Sequence, residues 1–147
     1  MKTQMNKIAI LIAGLLLMLT NSCELADDLV GNATISKITG DWDCEEDSEI
    51  FKKSTESNKS AYTVYISPDA DNDNGILIDG FYNLGDVGVK ATVNGNTITI
   101  TNQTVEGGYV ILSGTGLISG NYNEINWEYR VNIGGSRIDN VTAVYTK

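Results

Sequence analysis

From about residue 61 to the end of the chain, apolar and polar side chains alternate with a period of two, and the runs are broken every six to eleven residues by glycine and asparagine. Successive side chains of a strand point to opposite faces, so this alternation describes strands with one dry and one wet side. The chain must then bury a set of dry faces against one another, and the candidate strands are Ser36 to Asp43, Ala61 to Ser67, Ile76 to Tyr82, Val87 to Val93, Asn96 to Thr101, Tyr109 to Ser119, Glu124 to Ile133 and Ile138 to Thr146. Ile125, Trp127, Tyr129, Val131 and Ile133 share one face, and Asn126, Glu128, Arg130 and Asn132 the other. Tyr62, Val64 and Ile66 repeat the pattern, as do Val87, Val89, Ala91 and Val93. Short links make sequential strands antiparallel neighbours. Asn94-Gly95 is the strongest hairpin signal, because both residues tolerate the positive φ of a tight turn. Gly107-Gly108, Gly120-Asn121 and Gly134-Gly135 mark later turns.

Gly114 and Gly116 fall at alternate positions of the sixth strand, where missing side chains permit the coiling or bulge that closes a sheet on itself. The expected fold is all-β: an antiparallel eight-stranded up-and-down meander closing into a small barrel, with a β-sandwich as the alternative. The long connector from Cys44 to Ser60 is charged and serine-rich, and is expected to hold a helical turn or a lid.

The first residues carry an address. Lys2 and Lys7 precede an apolar run from Ile8 to Leu19, followed by Thr20-Asn21-Ser22-Cys23. This order is an export signal. Twelve apolar residues are too few for a membrane-crossing helix, which takes about 20. A small residue before a cysteine resembles a bacterial lipoprotein signal. Leu19 stands four residues before Cys23 instead of three, a relaxed box similar to those of Bacteroidota-type bacteria. The reading divides the chain into a signal peptide at residues 1–22, an acylated Cys23 with an acidic tether over 23–34, and a domain over 35–147. Glu24 follows the cysteine, which favours an outer-membrane lipid anchor facing the periplasm or the cell surface. More than one acyl chain makes such anchoring stable.

Composition narrows the function. Removing residues 1–22 leaves 125 residues, enough for one core. The loss of Lys2 and Lys7 takes the net charge from −9 to −11, which argues against nucleic acid as a partner. The chain has no histidine, the commonest general base and metal ligand near neutral pH. With Cys23 carrying lipid, Cys44 has no partner within the chain and reads as packing. No nucleophile elbow, phosphate loop or paired-cysteine metal site occurs, so no catalytic residue, no cofactor and no enzymatic activity is expected.

Thr39-Gly40-Asp41-Trp42, a glycine and tryptophan two apart at the start of a meander, resembles the lipocalin or calycin superfamily. The resemblance implies that Gly40 and Trp42 close one end of the barrel, the tryptophan lying beneath a basic residue on or after the last strand. Here only Lys147 is available. The later stretch resembles small uncharacterised Bacteroidota lipoproteins with a lipocalin-like domain. Tyr62-Thr63-Val64-Tyr65-Ile66, the run from Val89 to Ile100, Gln103-Thr104-Val105, Ser113-Gly114-Thr115-Gly116 and Thr142-Ala143-Val144-Tyr145-Thr146 carry that likeness. It implies no particular activity.

Three further features suggest sites. Asp69, Asp71 and Asp73 alternate like the first half of a calcium loop, but Gly75 comes one place late and Gly80 stands where a closing glutamate belongs, so no metal is expected. Glu45, Glu46, Asp47 and Glu49 form an acidic run that reads as a solvated face. Tyr65, Phe81, Tyr82, Tyr109 and Tyr122 are candidates for a surface patch contacting sugars or proteins. The leading expectation is a non-enzymatic module holding a small apolar or amphipathic molecule in a cavity lined by Trp127, Tyr129, Gly114 and Gly116. The alternative is a filled barrel that contacts an envelope protein or a glycan.

Overall fold

The structure, a computed structural model, describes residues 33–50 and 59–147. The signal segment, Cys23 and most of the acidic tether lie outside the described residues. Among the described residues nine strands form one sheet: β1 (Gly40–Ser48), β2 (Lys59–Pro68), β3 (Gly75–Asp79), β4 (Val89–Asn94), β5 (Thr97–Ile100), β6 (Gln103–Thr104), β7 (Val110–Ile118), β8 (Glu124–Asn132) and β9 (Ile138–Thr146). Every pairing is antiparallel. The β5–β7 and β1–β9 pairings close the sheet into an eight-stranded barrel, while two-residue β6 continues the line of β5 along β7. Closure leaves no free sheet edge, and the sandwich alternative is set aside.

The alternation predicts the inside well. Ile125, Trp127, Tyr129 and Val131 are buried along β8, and Val89, Ala91 and Val93 along β4. Gly114 and Gly116 face inward on β7, and the register slips between Ile111 and Ser113, a bulge at Leu112 just before them. A Cβ at Gly116 would lie 3.0 Å from the indole of Trp127, and one at Gly114 3.1 Å from Ile100. The glycines are the recesses into which large neighbours fit.

The boundaries differ in four places. Residues 33–38 are helical instead of entering the first strand, and the helix starts within the stretch expected to be tether. Ile35 and Ile38 stand one turn apart and both bury, and Gly40 follows at φ +117°, a bend few other residues make. β1 continues through Cys44 to Ser48, which the sequence reading assigned to a connector, because Cys44, Glu46 and Ser48 keep the inward parity of Trp42 and pair with Tyr145, Ala143 and Val141 of β9. β3 stops at Asp79, since Gly80 and Tyr82 turn the chain at positive φ into a short 3-10 helix over Phe81–Asn83. The β4–β5 hairpin turns on Gly95-Asn96 rather than Asn94-Gly95. Asn94 still pairs with Thr97, and Gly95 takes the positive φ of 59° required at the first central position.

The helical segment closes one end of the barrel. Trp42 is fully buried there and its Nε1 donates to the Ile38 carbonyl at 2.7 Å. The Lys147 ammonium lies 4.7 Å from the centre of the Trp42 ring and donates to the carbonyls of Lys37 and Thr39. Gly40 and Trp42 thus lie beside the helical segment, with the Lys147 ammonium over the tryptophan.

Candidate functional site

At the other end of the barrel the inward residues change character. Along β1 the inward series runs Trp42, Cys44, Glu46, Ser48, so the same alternation that fills the closed end with tryptophan places a carboxylate and a hydroxyl inside this one. Along β9 the inward series begins with Asp139, which is completely buried. Two acids inside a small barrel require donors, because a buried charge without hydrogen bonds is strongly disfavoured.

The donors are tyrosines and the backbone. Glu46 accepts hydrogen bonds from the hydroxyls of Tyr62 on β2 and Tyr129 on β8, both on its Oε2. Asp139 accepts from Ser48 Oγ at 2.5 Å and Tyr82 Oη at 2.7 Å on one oxygen, and from the Ile50 amide at 3.1 Å on the other. Among the described residues neither acid has a cationic partner; the ion pairs are Lys59–Glu45 and Lys90–Asp69, on the outside. Burial pushes the Glu46 carboxyl above its usual range, with the negative charge of Asp139 adding to the effect and the two tyrosine hydrogen bonds only partly offsetting it. Burial likewise raises the hydroxyls of Tyr62, Tyr82, Tyr129 and Tyr145, which therefore remain protonated donors at neutral pH. The Cys44 thiol is pushed up to about 12, first by burial and then by Glu46 and Glu45, and stays an unreactive thiol.

Two polar atoms beside this cluster have no partner among the described residues. The Trp127 indole N–H and the Tyr145 hydroxyl are both buried without a hydrogen bond, and their rings sit 5.5 Å apart. An unsatisfied buried donor costs about 1–3 kcal/mol, so each is a group that the fold alone leaves wanting.

The mouth is filled by the turn after β3. Phe81 packs against Trp127 edge-on at 5.8 Å and against Tyr129 at 4.5 Å, and Tyr82 packs against Tyr129 and Tyr109. Tyr82 and Asn83 both have φ of 54°, a left-handed conformation that disfavours residues with a Cβ. Such strain persists only where the surroundings enforce it.

Of the residues singled out from sequence, Trp127, Tyr129, Gly114 and Gly116 do converge in the barrel, but the expected space between them is occupied by their own rings and by Phe81. The aromatic surface patch is not formed. Phe81 and Tyr82 are buried, Tyr109 and Tyr122 half-buried, and only Tyr65 is exposed. Nor is the acidic run uniformly solvated, since Glu46 and Ser48 turn inward. Asp69, Asp71 and Asp73 lie in the β2–β3 turn, where the Asp69 carboxylate accepts the Asp71 amide at 3.1 Å; Asp71 and Asp73 are exposed. Among the described residues no group of three or more acidic or cysteine ligands forms a metal cluster. On the outer wall, a groove of about 510 Å³ lies over β1, β9, β8 and β7, lined by Asp47, Glu49, Glu128, Arg130 and their neighbours. Glu46, Ser48 and Asp139 were missed as interior site residues, and Tyr82 was read as part of a surface patch. For the three on strands the signal was parity: Glu46 and Ser48 continue the inward series of Trp42, and Asp139 shares that of Val141, Ala143 and Tyr145.

No protein-family model and no curated protein sequence matches the chain. Among solved structures it is similar to a redesigned β-barrel (TM-score 0.54, 13% identity, covering 78% of this chain and 94% of that one). It is also similar to EF1p2_mFAP2b bound to DFHBI (TM-score 0.56, 14% identity, 79% and 98%). A more distant likeness is to a proposed outer membrane protein from Bacteroides fragilis (TM-score 0.43, 18% identity), of which this chain spans about half, 52%. What this chain has in common with the two closer barrels is the eight-stranded fold.

Proposed function

We propose that this protein is a non-enzymatic, lipid-anchored barrel of the bacterial cell envelope that binds a small amphipathic molecule at the Glu46–Asp139 end of its interior. The observation that carries the reading is the polar cluster beneath a strained turn. A barrel needing only to be stable would fill this end with aliphatic side chains, as it does around Ile76, Ile78, Ile98 and Ile100. Instead it buries two carboxylates that have no cation, and the Trp127 and Tyr145 polar atoms that have no partner, among the described residues. Strained and under-satisfied groups collect where binding happens. Eight strands enclose room for one small ligand at most, and EF1p2_mFAP2b, of the same fold, was solved bound to DFHBI. The Gly40–Trp42 pair under Lys147 supports a lipocalin-like reading of the closed end. Cys23 after its apolar run supports the anchor, and with it an outer-membrane location.

Mass spectrometry of small molecules co-purifying with the protein tests this directly, together with titration by an environment-sensitive apolar dye. Saturation at one equivalent is expected. No saturable binding of any apolar or amphipathic probe would overturn the reading. Cys23→Ala is expected to release the protein from membranes; continued membrane fractionation would remove the anchor.

A second reading has its own observation. The interior is filled by Phe81, Trp127 and Tyr129, while a groove of about 510 Å³ with Asp47, Glu49, Glu128 and Arg130 along it faces outward. A filled barrel using that wall to contact an envelope protein or a glycan would show loss of partner capture with Arg130→Glu and indifference to changes at Phe81.

A further inference from the structure

The turn over residues 80–87 behaves as a unit. Its backbone bonds close on itself: Gly80 N to Gly85 O at 2.7 Å, Asn83 N to Gly80 O at 2.9 Å, Leu84 N to Phe81 O at 3.1 Å and Val87 N to Gly85 O at 2.9 Å. Gly80, Gly85 and Gly88 stand around it at positive φ, where the chain can pivot without a Cβ penalty. The buried side chains of Phe81 and Tyr82 tie the turn into the barrel, with Leu84 and Val87 also packed against the core. Phe81 offers an apolar ring to Trp127 and Tyr129, and Tyr82 offers one hydrogen-bond donor to Asp139. Together they satisfy, incompletely, a site made of aromatic faces and a buried acid. The Tyr145 hydroxyl, buried near Glu46, has no partner among the described residues.

We infer that Phe81 and Tyr82 stand in the place of the ligand, and that the ligand is a small organic cation with a flat apolar body. Its ring replaces Phe81 against Trp127 and Tyr129, and its ammonium replaces the Tyr82 hydroxyl on Asp139. This rests on the reading that the barrel interior binds a small molecule, and it names the class. Three features select a cation over a neutral or anionic molecule. Asp139 and Glu46 are both buried, and among the described residues neither has a positive partner. The faces of Trp127, Tyr129 and Tyr145 attract a cation through their ring quadrupoles. The chain carries a net charge of −9, so its long-range field draws cations toward the mouth. An anion would meet two carboxylates, and a neutral alcohol would gain little over the tyrosine already present.

The test uses the full chain purified in detergent and titrated by calorimetry with phenethylamine, 2-phenylethanol and phenylacetate, plus an apolar dye. Phenethylamine is expected to saturate at one equivalent, at least tenfold more tightly than 2-phenylethanol, with no binding of phenylacetate. Tyr82→Phe keeps the ring and frees Asp139 from its competitor, so it should tighten the amine several-fold and the alcohol, which offers only a neutral donor, distinctly less. Phe81→Ala should tighten both. Asp139→Asn should erase the preference for the amine, and Tyr82→Phe decides the matter if that variant does not fold. Equal binding of amine and alcohol, or equal effects of Tyr82→Phe on both, overturns the cation assignment while dye saturation leaves the binding module standing. If wild type and Phe81→Ala bind neither the dye nor any other probe, both are overturned.

Discussion

The two ends of this barrel are built from the same alternating strands, yet they resolve their polar groups in opposite ways. At the closed end the acceptors are backbone carbonyls: the Trp42 indole donates to one four residues back, and Lys147, from the far end of the chain, donates to those of Lys37 and Thr39 while lying over the same tryptophan. At the mouth the acceptors are buried carboxylates, and their partners likewise come from far along the chain. Glu46 meets Tyr129, 83 residues away, and Asp139 meets Ser48, 91 residues away. The closed end has a left-handed residue, Tyr122 at φ 60° in the turn between β7 and β8, with the Lys37 ammonium 4.2 Å from the centre of its ring. The mouth holds Tyr82 and Asn83 in that region and leaves Trp127 and Tyr145 unsatisfied. One end is arranged to hold the fold together. The other retains groups that stability alone does not explain, and the proposed binding role rests on them.

The comparison breaks first at the tryptophan. Trp42→Ala should destabilise the protein by about 3–5 kcal/mol, as deletion of a buried aromatic does, whereas outward-facing Glu128→Ala should stay within about 0.5 kcal/mol. Similar chemical-denaturation midpoints for the two would show that the closed end is not the stabilising one. Next comes Glu46→Ala, which strands the Tyr62 and Tyr129 hydroxyls in the interior; about 2–4 kcal/mol is expected from two buried donors left unpaired. A neutral or stabilising result would mean that the mouth gains nothing from its acids in the folded state.

A pH series sharpens the contrast. The Glu46 carboxyl binds its proton more tightly in the folded barrel than at its ordinary 4.5, so this group favours folding most below about pH 4.5 and its contribution is lost as pH rises through the raised folded value. Glu46→Gln removes that dependence. The stability of the variant relative to wild type should therefore increase with pH across the window above 4.5, and a constant difference between them would contradict the assignment. The smallest effect is expected at the closed end, where Lys147→Met should cost about 0.5–1 kcal/mol for the lost cation–π contact, read as a small decrease in melting temperature with no change in dye binding.

Much of the fold was legible because parity in a strand is local. The run Ile125-x-Trp127-x-Tyr129-x-Val131 needs no partner to declare its dry face, and the Gly-rich punctuation shows where each strand must turn. The same parity extends from Trp42 to Glu46, but an acid in a charged run reads as solvated unless the strand is known to continue. The residue types of the mouth were visible, and their meeting was not. Phe81 and Tyr82 carried every mark of a strand end, and nothing nearby indicates that Gly80 would fold them back into the barrel rather than leave them on its surface.

The sequence by itself determined that this chain makes antiparallel strands with one dry face, that they number about eight, and that Gly114 and Gly116 leave recesses in one of them. Those are consequences of side-chain period and glycine stereochemistry, which act over a few residues. Only the tertiary structure decided that the sheet closes, that Lys147 covers Trp42, and that Glu46, Asp139 and their tyrosines share one end. Closure brings β1 beside β9 and β5 beside β7, across distances in the chain over which no local preference acts. The character of the mouth belongs to the barrel as a whole, because buried acids acquire their donors only when strands from both ends of the sequence have met.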